Sequence, residues 1–251
     1  MNSAIVRALL VRGMLAGLGA ALPALIFAYL VGEGPVDAAI AFESAHAGGH
    51  GEEELVSRTV QSTAGLATGV LVFGVAIGGI AALAFCFALG RVGRFSARAT
   101  AALTALAAFL LVYLVPMLKY PANPPAVGNP DTIGKRTTLF FLMIVLTVLL
   151  GIAAVLLGRR LAPRWGNWNA SVAAGAAFVA AVTIAAVILP SGENTPHGFP
   201  ANDLWEFRLA SIGMQAVLWA GFGLLFGHLA ERVLEPRTAT ATPSRTPTPV
   251  A

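Results

Sequence analysis

Six long uncharged runs constrain this sequence more than any other feature. They cover residues 13–32, 59–90, 99–118, 137–158, 165–192 and 209–230, and each has at least 20 residues. A bilayer core about 30 Å thick is crossed by roughly 20 helical residues. The runs are rich in Leu, Ala, Val and Gly without strand-like alternation, which favours helices over a transmembrane barrel. We therefore predict an all-α membrane protein with six transmembrane helices.

The composition excludes a water-soluble domain. Only 11% of the 251 residues are charged and 57% are hydrophobic, whereas a soluble domain carries about 25% charged residues. The net charge of +4 would suit nucleic acid binding in a soluble protein. Here the basic residues lie beside the apolar runs, where membrane topology explains them better. We expect membrane lipid around the chain and no nucleic acid as a partner.

The basic residues are divided unequally between the two sides of the predicted membrane domain. Eleven Lys and Arg lie before the first run, in the second and fourth loops and in the C-terminal tail, and five lie in the other loops. The positive-inside rule then places both termini in the cytoplasm. Ten of the twelve acidic residues fall on the opposite side, in outer loops at 33–58, 119–136 and 190–208.

The chain has one predicted domain and a tail. Residues 1–235 form the six-span transmembrane domain, and residues 236–251 are rich in Pro, Thr and Ala without apolar periodicity. Such a composition is typical of a disordered segment, which we expect in the cytoplasm.

A short motif recurs before the second helix of each predicted hairpin. It reads EELVSR (53–58), DTIGKR (131–136) and DLWEFR (203–208), and a glycine follows each final arginine by 15 or 16 residues. The spacing predicts three repeated transmembrane hairpins. The acid–arginine pairs are Glu53 with Arg58, Asp131 with Arg136, and Asp203 with Arg208, and the glycines are Gly74, Gly151 and Gly223.

Two interpretations of this motif stay open. The acidic residue can cap the helix N-terminus and complement its dipole, while the arginine anchors at the membrane interface. Alternatively, the first and sixth positions lie about 140° apart around a helix. Each arginine would then meet the acid of a neighbouring hairpin, and a ring of such pairs would close the outer end as a gate or a seal.

The apolar runs hold no Asp, Glu, Lys or Arg. A membrane enzyme or an ion-coupled carrier needs ionisable groups at membrane depth, so we expect no catalytic residues and no enzyme activity. Glycine pairs four residues apart allow close helix packing instead. These pairs are Gly13 and Gly17, Gly65 and Gly69, Gly74 and Gly78, and Gly223 and Gly227.

The stretch HAGGHGEEE (46–54) in the first outer loop combines imidazole and carboxylate groups. This mixture suits divalent first-row metal ions such as Co²⁺, Ni²⁺ and Zn²⁺. We predict a collecting loop that binds a transported metal weakly, with no permanently bound cofactor. The candidate ligands are His46, His50, Glu52, Glu53, Glu54 and, from the third outer loop, His197.

Taken together, the six runs, the His/Glu-rich first outer loop, the Pro-rich later outer loops (119–130 and 189–203) and the D-x-x-x-x-R helix entry resemble the CbtA family. The resemblance covers residues 1–235. It implies a subunit of a cobalt uptake transporter, associated with cobalamin-controlled genes and with a small single-span partner, CbtB, that carries a histidine-rich end. By position, His46, His50 and Glu52 to Glu54 correspond to the family's first loop, and Asp203 and Arg208 to its last helix entry.

Two functions follow as expectations. The first is a membrane subunit of a divalent metal (cobalt) uptake transporter. The second is a non-transporting scaffold or accessory subunit of a larger complex, which the absence of charge in the runs and the abundance of glycine would also suit.

Overall fold

The computed structural model describes residues 2–46, 56–125, 132–192 and 198–235, and these are helical with no strand among them. The helices are α1 (Ser3–Phe27), α2 (Glu33–His46), α3 (Arg58–Val60), α4 (Leu66–Ala88), α5 (Ala97–Ala108), α6 (Val115–Lys119), α7 (Ile133–Ile188) and α8 (Ala201–Leu234). Short π-helical turns at Ala28–Gly32, Gln61–Gly65 and Phe109–Leu114 join α1 to α2, α3 to α4 and α5 to α6.

Five continuous helices of the described chain are long and apolar enough to cross a membrane. They are Ser3–Ala45, Arg58–Ala88, Ala97–Lys119, Ile133–Ile188 and Ala201–Leu234. The chain is therefore a multi-pass membrane protein built from helices, as its composition predicts. The runs 137–158 and 165–192, which we predicted as separate helices, belong to one helix, α7, which contains the first run entirely and the second as far as Ile188.

Helix α7 is divided at Gly166 into two arms, 133–165 and 167–188. A straight helix of its 56 residues would be about 84 Å long, far more than a bilayer is thick. Gly166 has φ 73° and ψ 162°, a backbone conformation open essentially to glycine alone. A methyl group added at Gly158 would lie 3.4 Å from the Ala174 Cβ. The two arms therefore lie side by side, because residues 16 apart in a straight helix are about 24 Å apart.

Proline explains two of the π-helical turns. Pro35 and Pro116 lack the N–H that would bond the carbonyls of Val31 and Val112, four residues earlier. Both carbonyls lie in π-helical turns, which is where an irregular hydrogen-bond pattern is accommodated. The first turn also leads into a helix, α2, where we predicted only a loop. The outer loop 33–58 thus begins with helix, and its apolar side packs against the start of α8 through Phe42 and Phe199, whose ring centroids are 5.1 Å apart.

Helix α1 packs closely against α4 through glycines. A methyl group at Gly74 would lie 2.7 Å from the Gly17 carbonyl oxygen, and one at Gly78 would lie 2.9 Å from the Gly17 Cα. The predicted packing role is confirmed for three of the four glycine pairs, because Gly223 and Gly227 likewise pack on α5. Within the described residues it does not hold for Gly69 of the fourth pair, since none of them has an atom within 4 Å of a methyl group placed there.

The main core lies between α1, α4, α5 and α8. The ring of Phe226 stacks on Phe222 and meets Phe85 edge to face, each with ring centroids 5.1 Å apart. All three rings are buried. A second apolar cluster joins Tyr120, Leu139 and Met143 to the returning arm of α7. Helix α8 belongs by sequence to the third hairpin, but it packs against α1 and α5. The described helices therefore do not pack as three equivalent hairpins.

Candidate functional site: the outer end of the bundle

The three predicted outer loops meet at one end of the bundle, which we call the outer end. Tyr120, which follows α6, donates a hydrogen bond from its hydroxyl to the Pro190 carbonyl at 2.9 Å, and this bond ties the second loop to the third. Burial raises the pKa of the Tyr120 phenol above its usual range. The phenol therefore stays a neutral donor at physiological pH.

Arg58 forms an ion-pair cluster at this end. Its Nε donates to Asp37 Oδ1 at 2.9 Å, and its Nη2 pairs with Glu33. The side chains of Arg58 and Glu33 are 28% and 18% exposed, so this pair is partly shielded from water. The cluster holds the beginning of α3 against α2. Both acids belong to the same hairpin as Arg58, whereas one of the two interpretations of the motif placed its partner in a neighbouring hairpin.

The other two arginines of the repeated motif, Arg136 and Arg208, line a cavity of about 810 Å³ between α2, α6, α7 and α8. Arg208 donates from Nε to the Ala122 carbonyl and from Nη2 to Asn123 Oδ1, both at 3.2 Å. These bonds join α8 to the Pro-rich second loop. Arg136 lies across the cavity, and its Nε is buried without a hydrogen-bond partner in the described part of the chain.

Among the described residues that line this cavity, positive charge predominates. Lys119, Arg136 and Arg208 line it, and Glu43 is the one carboxylate among its described lining residues. Its remaining wall comes from polar and apolar side chains such as Tyr113 and Phe140. Sequence reasoning identified Arg136 and Arg208 from the repeated motif but missed Lys119 and Glu43. No local signal marks those two, because the cavity forms only when distant loops come together.

Acidic capping of the helix entries is not observed at α8. This helix begins at Ala201, two residues before Asp203, and Pro200 provides no side-chain cap. Asp203 therefore lies in the first turn, where its charge still complements the helix dipole. Helix α7 begins at Ile133, and its N-cap residue, Thr132, makes no capping hydrogen bond from its side chain. Asp131, the acid of that motif, lies outside the described residues.

The predicted metal ligands lie mostly beyond what the structure describes. His46 is the last residue of α2, three positions after the cavity-lining Glu43. His50, Glu52, Glu53, Glu54 and His197 lie outside the described residues. Within those residues, no group of three or more His, Cys, Asp or Glu is arranged to hold a metal ion. The collecting loop thus stays a prediction, and His46 is its one described residue.

The opposite end of the bundle carries its own contacts. Arg98 forms an ion pair with Glu231 of α8, and Arg159 donates to the Arg91 carbonyl at 3.0 Å. These contacts fasten α5 to α8 and α7 to the loop that follows α4. Polar contacts between helices therefore occur at both ends of the bundle, whereas the sequence analysis predicted them only at the outer end.

Between the two ends of the bundle, one buried hydroxyl group links α7 to the π-helical turn 109–114. The Thr147 hydroxyl, fully buried, lies 2.5 Å from the Leu111 carbonyl oxygen, which belongs to the π-helical turn 109–114. The same hydroxyl also lies 2.9 Å from the carbonyl oxygen of Met143 in its own helix. A carbonyl left without its regular helical partner thus gains a donor from α7, as apolar surroundings require.

A family model described as "Probable cobalt transporter subunit (CbtA)" matches residues 6–231. No curated protein and no solved structure matches the chain.

Proposed function

Because the chain belongs to the CbtA family of probable cobalt transporter subunits, we propose that it is the membrane subunit of a divalent metal uptake transporter with Co²⁺ as its cargo. The family match, which spans nearly the whole chain, is the observation that carries this proposal. The apolar helices are consistent with it, since several of them can together enclose a path for an ion across a bilayer. The description of the family as transporter subunits supports a role in transport and not in catalysis.

We further propose six crossings with both termini in the cytoplasm of a bacterial inner membrane. The side-by-side arms of α7 support the count, because they supply two crossings where the continuous helices number five. An even number returns the chain to its starting side. The excess of Lys and Arg in the termini and the second and fourth loops supports the orientation.

The outer loops would collect the ion before it crosses. His46, His50 and Glu52 to Glu54 would act together with His197, or with a small histidine-rich partner resembling CbtB. The position of His46 at the end of α2, one turn beyond the cavity-lining Glu43, supports a site near the cavity entrance. Imidazole and carboxylate donors suit Co²⁺ without selecting it strongly over Ni²⁺.

Cobalt accumulation in living cells tests this function. We expect a strain lacking the gene to accumulate less cobalt, and the wild-type gene to restore accumulation. The double variant His46→Ala/His50→Ala should restore it only partly. The control is His228→Ala, an exposed histidine near the other end of α8, which should restore it fully. Unchanged cobalt content in the deletion strain would refute the transport function.

The alternative is a non-transporting scaffold within a larger membrane complex. The closely packed α1–α4 contact and the aromatic core favour it, since they leave no ionisable group in the main core of the described chain. A scaffold predicts normal cobalt content in the deletion strain together with loss of the complex on native gels. A gene neighbourhood without metal or cobalamin genes would also favour the scaffold.

A further inference from the structure

We propose that the outer cavity binds an oxyanion group, a carboxylate or a phosphate, between Arg136, Arg208 and Lys119. The three cations come from three separate elements: Arg136 from the first turn of α7, Arg208 from the second turn of α8, and Lys119 from the end of α6. Their convergence on one space of about 810 Å³ is a property of the fold. This inference does not depend on whether the protein moves cobalt.

The free donors of the two arginines support an anion. Arg208 uses Nε and Nη2 on Ala122 and Asn123, which fixes the guanidinium and leaves Nη1 for a ligand. Arg136 lines the same cavity and forms no ion pair within the described chain. The planar guanidinium matches the two oxygens of a carboxylate or phosphate.

The same charges disfavour a bare divalent cation in this space. Three cations face one described carboxylate, Glu43, and like charges in a partly enclosed site repel strongly. The cavity volume lies within the range of small-molecule sites, about 300–1,000 Å³. A metal ion that entered here would therefore do so inside an anionic chelate such as a citrate complex. The oxyanion has two possible sources: a free small anion or the headgroup of an anionic lipid.

Binding to the purified full-length chain tests the proposal. The protein is placed in nanodiscs of phosphatidylcholine alone and titrated by calorimetry with citrate, inorganic phosphate and cobalt chloride separately. In a second arm, retention of phosphatidylglycerol from mixed-lipid nanodiscs is measured by mass spectrometry. We compare the wild type with Arg136→Gln/Arg208→Gln and with Lys119→Gln. The matched control is Lys135→Gln, an exposed neighbour of Arg136 outside the cavity lining.

We expect citrate or phosphate to bind the wild type and the control equally. Binding to the double arginine variant should be about tenfold weaker or more, since each charge-assisted bond is among the stronger kinds. Such a result identifies a free anion as the source. Loss of retained phosphatidylglycerol in the same variant, without binding of free anions, identifies the lipid headgroup instead. Either result supports the proposal.

Three results would overturn it. One is the absence of any anion or lipid binding to the wild type. Another is binding that the cavity variants and Lys135→Gln weaken equally, since the anion would then respond to general surface charge. The third is tighter binding of cobalt chloride than of citrate that is lost in the cavity variants. Lys119→Gln makes the test independent of folding defects, because Lys119 forms no ion pair within the described chain and its ammonium lies 5.7 Å from the Tyr120 ring centroid.

Discussion

Replacement of Gly74 by alanine should loosen the contact between α1 and α4. The added Cβ would lie 2.6 Å from the Ala21 Cβ and 2.7 Å from the Gly17 carbonyl oxygen, whereas carbon atoms in contact are normally about 3.5–4.0 Å apart. The two helices would have to separate by roughly 1 Å. Overpacking of this kind costs about 1–3 kcal/mol in free energy of unfolding, and the gain in helix propensity returns about 0.5–1 kcal/mol.

The same helix supplies the control for this prediction. Gly69 is exposed, and no atom of the described chain lies within 4 Å of a methyl group placed there. Gly69→Ala should therefore gain the propensity term alone. Because both residues lie in α4, the propensity terms largely cancel when the two variants are compared. We expect Gly74→Ala to be less stable than Gly69→Ala by about 1–3 kcal/mol.

Titration of the purified protein in mixed micelles with sodium dodecyl sulfate measures this difference. Four tryptophans, one of them the buried Trp219 in the core, give a fluorescence signal of unfolding. The midpoint of Gly74→Ala should fall below that of Gly69→Ala with an unchanged slope. Equal midpoints would refute the described contact between the α1 and α4 backbones.

Three further predictions use the same titration. Thr147→Val removes a buried interhelical hydrogen bond and should lower the free energy of unfolding by about 1 kcal/mol, within the range for membrane proteins. Its control is Thr183→Val, because the Thr183 hydroxyl is exposed and bonds within its own helix. Equal stabilities of the two variants would contradict the role of the buried hydroxyl. A double-mutant cycle with Arg58→Gln and Glu33→Gln should give a coupling energy of about 0.5–1 kcal/mol for this partly exposed pair, and additive effects would exclude the ion pair. Gly166→Ala should destabilise the junction of the α7 arms by about 1–3 kcal/mol, because its positive φ strains any other residue, and an unchanged midpoint would mean that α7 does not turn there.

The predictions from sequence were most accurate where a helix contact depends on one residue type. Gly13, Gly17 and Gly74 were expected at a helix contact because only a missing side chain lets two backbones approach this closely, and the α1–α4 contact has them there. The same rule failed at Gly69. A small residue permits a close approach but does not require a partner, so spacing alone overstates the number of contacts.

The local sequence pattern could not predict which residues pair with each other in the folded chain. Arg58 could be expected to meet an acid, but the partners are Glu33 and Asp37, which share one face of α2 at a spacing of four residues. We treated residues 33–46 as loop because they follow an uncharged run and contain charges. Their helix is stabilised by packing against Phe199 and Leu204, residues more than 150 positions away in the chain.

The amino-acid sequence was sufficient to indicate a helical membrane protein, since uncharged runs of this length can satisfy their backbone groups in lipid only as helices. It also indicated three of the four glycine contacts, but it did not predict the helix at 33–46, which carries charges. The tertiary structure alone decided that α8 leaves its own hairpin to pack on α1 and α5, and that Arg136, Arg208 and Lys119 share one cavity. The physical reason is that helix faces in a membrane are almost equally apolar, so shape complementarity between distant segments, and not hydrophobic pattern, selects which faces meet.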